Sequence, residues 1–524
     1  MKKKSRTESS LINIVVSLIS NAFSIIIGLI SQAIFIKLLG SEYLGLNGLF
    51  SNVISMLGIV ELGIGSAIIY NLYKPISEND YETIKSLMRF YKKSYHIIGI
   101  IVLILGISII PFLRYIVGDV NLCINVNIVY LLFLADIVFS YFLSYKRSIL
   151  YANQKDYVVQ SIHIAYLVIL NILQILFLYL TKNYYLYLII KVIMRIIENL
   201  CITSFVNYRY SYLKEKNAKK IDKAIENDIF KKVKALFLHQ IGAFAINGTD
   251  NLVISRYIGL VSVGLYSNYY LIINAVQTVS SHIISATTPS IGNMLVTEKK
   301  EKFFPVFKKM RFLNFYMATF CGICIFCLME PFIKIWIGGK YVLETTILLI
   351  LTINFYQKTS RLTYKSFKTA AGIFYEDRFI PIIEAFTNII ISIVLAKQIG
   401  LAGVFIGTII SGLSLWCYSY PKYVYKKLFN RKYFNYICET LGYLLLFLAL
   451  LFVTNLVIRF VKVDNLILQL IYRFIICLIV PNIILIMIFF RTDNFQYYLE
   501  LLGKLPIIKN ILSRKKEVKQ WKLQ

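Results

Sequence analysis

The chain has 524 residues, 58% hydrophobic and 16% charged, with a mean hydropathy of +0.67, and a water-soluble fold of that balance would expose large apolar patches. Lys and Arg outnumber Asp and Glu by 57 to 27, which taken alone suggests a nucleic-acid binder. The placement of the charges excludes that reading: split at the breaks between apolar runs, alternate segments carry 45 basic residues on one side and 9 on the other, with Lys191, Arg195 and Arg473 left inside runs.

In chain order, membrane-spanning helices are expected over 11–36, 44–72, 95–113, 122–145, 158–180, 185–208, 235–257, 262–289, 312–333, 343–363, 379–398, 401–424, 437–458 and 467–490. Each is near or above the roughly 20 residues needed to cross hydrocarbon, where every backbone polar group must be satisfied within its own helix. The opening MKKKSRTESS has no small-residue cleavage pattern after it and reads as the start of an uncleaved first helix. The positive-inside asymmetry puts both termini in the cytoplasm of a multi-pass cell-membrane protein. Connections on the outer side are short, whereas Arg209 to Lys234 is long and basic and reads as an amphipathic helix on the inner surface. The Cys321, Cys324 and Cys327 run has no His or fourth thiol beside it in sequence, so helix packing is preferred to a metal, and no metal site is expected.

The chain repeats itself at an offset of about 219 residues. Gly40 and Gly45 fall on Gly259 and Gly264, Leu143-Ser144-Tyr145-Lys146 on Leu362-Thr363-Tyr364-Lys365, and Ala152 on Ala371, with Gly118 matching Gly338 at one residue more. The offset covers six helices, an even number, so the copies have the same orientation. The expected fold class is therefore all-α: about fourteen transmembrane helices in two parallel six-helix lobes plus two C-terminal helices. The lobes are 1–208 and 235–424, joined by a basic cytoplasmic linker at 209–234 and followed at 425–524 by two further helices and a basic cytoplasmic tail. Two parallel lobes around a cleft describe an alternating-access carrier.

Three stretches carry a family resemblance: FIKLLGSEYLGLNGLFSNVISMLGIVELGIGSAI near the N-terminus, KRSILYANQKDY after the fourth span, and DNLVISRYIGLVSVGLYSNY across the seventh and eighth. With them the chain resembles the Wzx-like polysaccharide flippases of the multidrug/oligosaccharidyl-lipid/polysaccharide superfamily, which also holds the MATE exporters. The resemblance implies translocation of an undecaprenyl diphosphate-linked oligosaccharide from the cytoplasmic to the outer leaflet, for surface polysaccharide assembly. It also implies a V-shaped pair of bundles around a polar, often cationic cavity. Expected partners are the lipid-linked oligosaccharide, membrane lipid, a glycan polymerase and glycosyltransferases, and no nucleic acid.

Ionisable groups within spans cost several kcal/mol, so each is a candidate for the cleft. Lys191, Arg195 and Glu198, spaced four and three, share one face of the sixth span, roughly 9 to 20 Å below its outer edge. The bland reading is an ion pair of Glu198 with Arg195 or a neighbouring helix; the functional one, preferred here, is a cationic patch meeting the diphosphate. Lys37 and Arg256, one repeat apart near outer helix ends, are either interfacial anchors or flank an outer mouth for phosphate. Lys358 and Arg361, near the inner end of the tenth span, are either positive-inside anchors or receive the headgroup. Asp250, with Asn247 and Asn251 beside it, is expected to line the cleft. Asp250, Glu198, Glu61, Asp136 and Glu384 are candidates for coupling, gating or pairing with the cations. No cofactor is expected beyond a coupling proton or sodium ion. His163, His239 and His282 are isolated and suit hydrogen-bonded helix contacts better than a proton relay.

Rival readings are a cation-coupled multidrug exporter or a peptidoglycan-precursor lipid flippase of the same superfamily and, more remotely, a membrane glycan polymerase. The drug exporter suits an acidic cleft and about twelve helices. A polymerase needs catalytic groups outside the bilayer, and no outer loop is long enough to carry them. The chain is read as a carrier and not an enzyme.

Overall fold

The computed structural model describes residues 6–503 apart from 62–63, 119–123, 154, 374–375, 378 and, between 215 and 247, all but 221, 223, 226, 227 and 229. Most of the expected linker helix at 209–234, the tail at 504–524, His239 and Asn247 therefore lie outside the described residues. Among the described residues the chain is helical without a strand, an all-α polytopic membrane protein.

The helices run α1 (Arg6–Leu39), α2 (Ser41–Leu57), α3 (Ile64–Glu78), α4 (Tyr81–Ile109), α5 (Leu113–Val117), α6 (Val126–Ser144), α7 (Arg147–Ala152), α8 (Asp156–Thr181), α9 (Tyr184–Arg209) and α10 (248–257). They continue with α11 (Leu260–Ser285), α12 (Thr288–Thr297), α13 (Phe303–Trp336), α14 (Thr345–Ser360), α15 (Leu362–Ala370), α16 (Ile380–Ile399), α17 (Leu401–Ser414), α18 (Tyr433–Arg459), α19 (Leu466–Phe489) and α20 (Asp493–Gly503). Nine helical stretches among the described residues are long and apolar enough to cross a membrane on those two properties alone. The remaining expected spans depart from them for visible reasons. The second breaks at a 3₁₀ turn, Gly58–Glu61, and the sixth carries Lys191, Arg195 and Glu198. The seventh is described only from residue 248, the eighth is rich in Ser, Asn and Tyr, and the tenth yields a helix of only 16 residues. The twelfth, which is one of the nine, is α-helical only to Ser414 and continues as a π-helix, Leu415–Lys426, which contains Pro421. Proline has no N–H to give and clashes in a regular α-turn, so the wider turn accommodates it.

Short polar residues start several of these helices. Asn125, Asn183 and Asn465 cap α6, α9 and α19 by accepting backbone N–H bonds, and Asp80 caps α4 from Thr83. The same job recurs at each turn because the first N–H groups of a helix have no partner inside it.

Packing divides the chain into two compact units, residues 1–272 with 378–411, and residues 273–377 with 412–524. In the first, α1 packs along α8, α6 along α9, and α4 along α6. Here the glycines at the repeat offset have a structural role. A Cβ on Gly45 would sit 2.1 Å from the Leu260 carbonyl oxygen, and one on Gly264 would sit 2.1 Å from that of Ser41. Ser41 and Leu260 are themselves 219 apart, so α2 and α11 cross backbone to backbone through a pair of repeat-related contacts. Gly40 and Gly259, just ahead of these helices, have φ of 94° and 118°, a region that strains a residue with a Cβ. In the second unit, α13 packs against α14, α18 and α19. Cys477 of α19 lies within hydrogen-bonding reach of Cys324 and Cys327, a neighbour that the spacing of the thiols does not show. No group of three or more His, Cys, Asp or Glu is arranged for a metal among the described residues.

Candidate functional site

The 3.6-residue period puts Lys191, Arg195 and Glu198 on one side of α9, and the packing of α6 beside it brings Asp136 to the same level. Asp136 receives both cations: Lys191 Nζ is 3.3 Å from Oδ2, and Arg195 Nε donates to Oδ1 at 3.1 Å. Arg195 Nη1 donates to Glu198 Oε2 at 2.8 Å. The other Glu198 oxygen lies 3.3 Å from Arg147 Nη2, from the start of α7, and 2.9 Å from His163 Nδ1 on α8. Arg147 Nη2 also donates to Asn199 Oδ1 at 2.8 Å. The Glu198 side chain has 0% exposure and Lys191 27%, so the network runs from a closed end to an open one. The cations are cushioned by rings, Lys191 Nζ at 4.8 Å from the Phe133 centroid and the Arg195 guanidinium at 5.0 Å from that of Tyr166.

These groups line or back a cavity of about 600 Å³ inside the first unit. Its second polar wall is Glu61, at the break between α2 and α3. Tyr95 of α4 donates to the Glu61 carboxylate, Tyr141 of α6 also reaches it, and Tyr91 donates to Tyr95 at 3.2 Å. The break matters to the chemistry, because it carries a carboxylate that faces the cavity at a point where the helix is interrupted. Three carboxylates, Glu61, Asp136 and Glu198, thus meet three cations, Arg147, Lys191 and Arg195. The net +2 of Lys191 and Arg195 is compensated in place, in accord with the high cost of an unpaired charge at such depth.

Of the eleven residues singled out from sequence, five gather here: Lys191, Arg195, Glu198, Asp136 and Glu61. The other six lie elsewhere. Asp250 of α10 is buried and accepts from Thr408 Oγ1 of α17 at 3.3 Å on each oxygen, within a polar cluster that includes Thr249 and Asn388 of α16. Glu384 is buried in α16. Lys37 and Arg256 are exposed, each three residues before a positive-φ glycine, with the Arg256 guanidinium 4.2 Å from the Tyr115 ring centroid. Lys358 and Arg361 belong to the second unit, at the junction of α14 and α15. His163 joins the network, whereas His282 is exposed.

Arg147 and the tyrosines were not singled out from sequence. Arg147 lies within KRSILYANQKDY, where the basic pair is fully accounted for by topology, and nothing in spacing distinguishes it from its neighbour Lys146. Arg311 of α13 was also missed. It is buried in the second unit, donates to Tyr425 at 2.7 Å and to Thr440 at 3.3 Å, and pairs with Glu439.

Residues 10–295 match the family described as polysaccharide biosynthesis protein. Among solved structures, the chain is similar to the lipid II flippase MurJ in an inward closed conformation, with a TM-score of 0.63 and 18% identity over 90% of this chain and 99% of that one. It is also similar to an inward-facing multidrug resistance MATE family transporter of the MOP superfamily, with a TM-score of 0.59 and 15% identity over 77% and 94% of the two chains. A mutant of the Vibrio cholerae MATE transporter VcmN gives 0.55 and 15% over 80% and 99%. At these identities the likeness is one of fold. No curated protein matches the chain.

Proposed function

This chain belongs to the polysaccharide biosynthesis protein family, and we propose that it is a flippase that carries an undecaprenyl diphosphate-linked oligosaccharide from the cytoplasmic to the outer leaflet. The observation that carries the reading is the cavity in the first unit, where Lys191 and Arg195 sit at span depth beside carboxylates that can be exchanged for another anion. A diphosphate offers several acceptor oxygens to a guanidinium and an ammonium, the same two groups that Asp136 holds. Substrate capture is then an exchange of Asp136 for phosphate. Release is the return of Asp136, which limits how tightly the anion is held.

The internal repeat supports alternating access by two like-oriented halves, with a proton or sodium ion, or the membrane potential, as the driving force. Glu61, hydrogen-bonded to Tyr95, and Asp250, hydrogen-bonded to Thr408, are the carboxylates proposed for coupling or gating. The fold is shared with multidrug exporters, but a cavity lined by three cations and two carboxylates suits an anionic headgroup better than a cationic drug. The similar fold of a lipid II flippase is in keeping with a lipid-linked saccharide as substrate. A glycan polymerase and glycosyltransferases would act beside the protein at the membrane.

The test is depletion of the protein in its own cell. Lipid-linked glycan should accumulate in the inner leaflet, and normal outward delivery without the protein would end the proposal. Lys191→Gln with Arg195→Gln should block export while membrane insertion is unchanged; full export by that variant would remove the two residues from the mechanism.

A further inference from the structure

Arg473, the third cation within a span, takes no part in the cavity of the first unit. It lies seven residues into α19, about 10 Å from the helix start. Its Nη1 donates to the Cys327 carbonyl at 3.1 Å and to Glu330 Oε2 at 3.2 Å, while Nε is buried with no hydrogen-bond partner among the described residues. Glu330 has a second cation in Lys334, at 2.6 Å, so it does not depend on Arg473 for charge balance.

Arg473 lines a cavity of about 670 Å³ within the second unit, bounded by the ends of α13 and α18, the starts of α14 and α19, and the turn after Arg459. Arg459 and Lys462 line it too, and neither has an ion-pair partner among the described residues. In the lining Arg473, Arg459 and Lys462 face Glu330, Glu344 and Asp464, and Lys334, outside the lining but paired with Glu330, brings the set to four cations against three carboxylates, an excess of one positive charge. Phe460, Ile467 and Leu468, 77%, 59% and 58% exposed, flank the same turn, as expected at the boundary between headgroups and acyl chains. The basic-residue count assigns this end to the outer side. A buried guanidinium edge, an excess of one cation and an apolar rim suit a singly charged anion attached to a hydrocarbon chain.

We infer that this cavity binds a phosphate group at the outer bilayer interface, held by Arg473 and Arg459. The site is separate from the proposed transport cavity and stands or falls independently of it. The experiment uses the purified full chain in dodecyl maltoside, with thermal unfolding followed as dioleoylphosphatidylglycerol, undecaprenyl phosphate, inorganic phosphate or phosphate-free dioleoylglycerol is added. Phosphate-bearing ligands should raise Tm, and dioleoylglycerol should not. A response to phosphatidylglycerol identifies a membrane phospholipid as the source, a response confined to undecaprenyl phosphate the carrier lipid, and an equal response to inorganic phosphate the free anion. Arg459→Gln and Arg473→Gln should each weaken the apparent affinity about tenfold or more, the loss expected for one charged hydrogen bond. Arg459 is exposed and unpaired, so its variant keeps the test valid if the Arg473 variant misfolds. An equal response to dioleoylglycerol, or undiminished affinity in the Arg459 variant, overturns the proposal.

Discussion

Asp136 makes the exchange reading of the cavity testable one side chain at a time. Asp136→Asn removes the anion that competes for Lys191 and Arg195, while Arg195 keeps Glu198 at 2.8 Å. Affinity for a lipid diphosphate should therefore rise by about 10- to 100-fold, the equivalent of a charged hydrogen bond of roughly 1.5–3 kcal/mol, and turnover should fall because release loses its competitor. Binding and transport measured on the same variant check this; weaker binding would show Asp136 to be part of the anion site and not its competitor. Glu198→Gln should act differently. It leaves Arg147 and Arg195 against a neutral amide in a closed pocket, at a cost on the order of 3–5 kcal/mol of stability, so it should lower Tm and yield before it touches affinity.

Helix crossings and helix starts bear the next set of consequences. Gly45→Ala and Gly264→Ala each drive a methyl into a carbonyl 2.1 Å away, which no rotamer can relieve, so each should cost about 1–3 kcal/mol or more. Both substitutions part the same α2–α11 crossing, and once one has opened it the other has room; the double variant should lose clearly less than the sum, as a thermal-stability cycle would show. At the start of α4, the Thr83 hydroxyl and N–H hold the Asp80 carboxyl below its ordinary range, at 2.5 and 3.0 Å. A value lowered by folding means that the cap is fully effective above the ordinary carboxylate pKa and is lost as pH falls through the lowered one. Amide exchange in the first turn of α4, corrected for intrinsic rates, should accelerate only in that acid range, and Asp80→Asn should abolish the dependence. An identical profile in the variant would assign the effect to another group.

For the molecule as a whole, topology is the property with the widest consequences, since it decides which cavity mouth faces which solution. In a chain whose native cysteines are replaced by Ser, Lys340→Cys and Val461→Cys should react with a membrane-impermeant maleimide from outside intact cells. Lys155→Cys and Glu376→Cys should react only after permeabilisation. The reverse pattern would invert the direction of transport proposed here and move the Arg473 cavity to the cytoplasmic face.

Nine of the expected spans, the all-α membrane class and the 219-residue repeat were legible in the chain itself, because hydrocarbon imposes length and apolarity on a crossing segment and a repeat preserves glycines where backbones touch. The alignment of Lys191, Arg195 and Glu198 was legible for a similar reason, being a matter of period along one helix. The choice of Asp136 on α6 among the candidate partners, the pairing with Arg147 on α7, the closure of Glu61 against tyrosines of α4 and α6, and the approach of Cys477 to Cys324 were not legible. Those contacts join residues up to about 150 positions apart, and they follow from which helix faces lie side by side. Helical period orders side chains around one axis and carries no information about a second, so the cavity's near-neutral balance emerges only once the helices have packed.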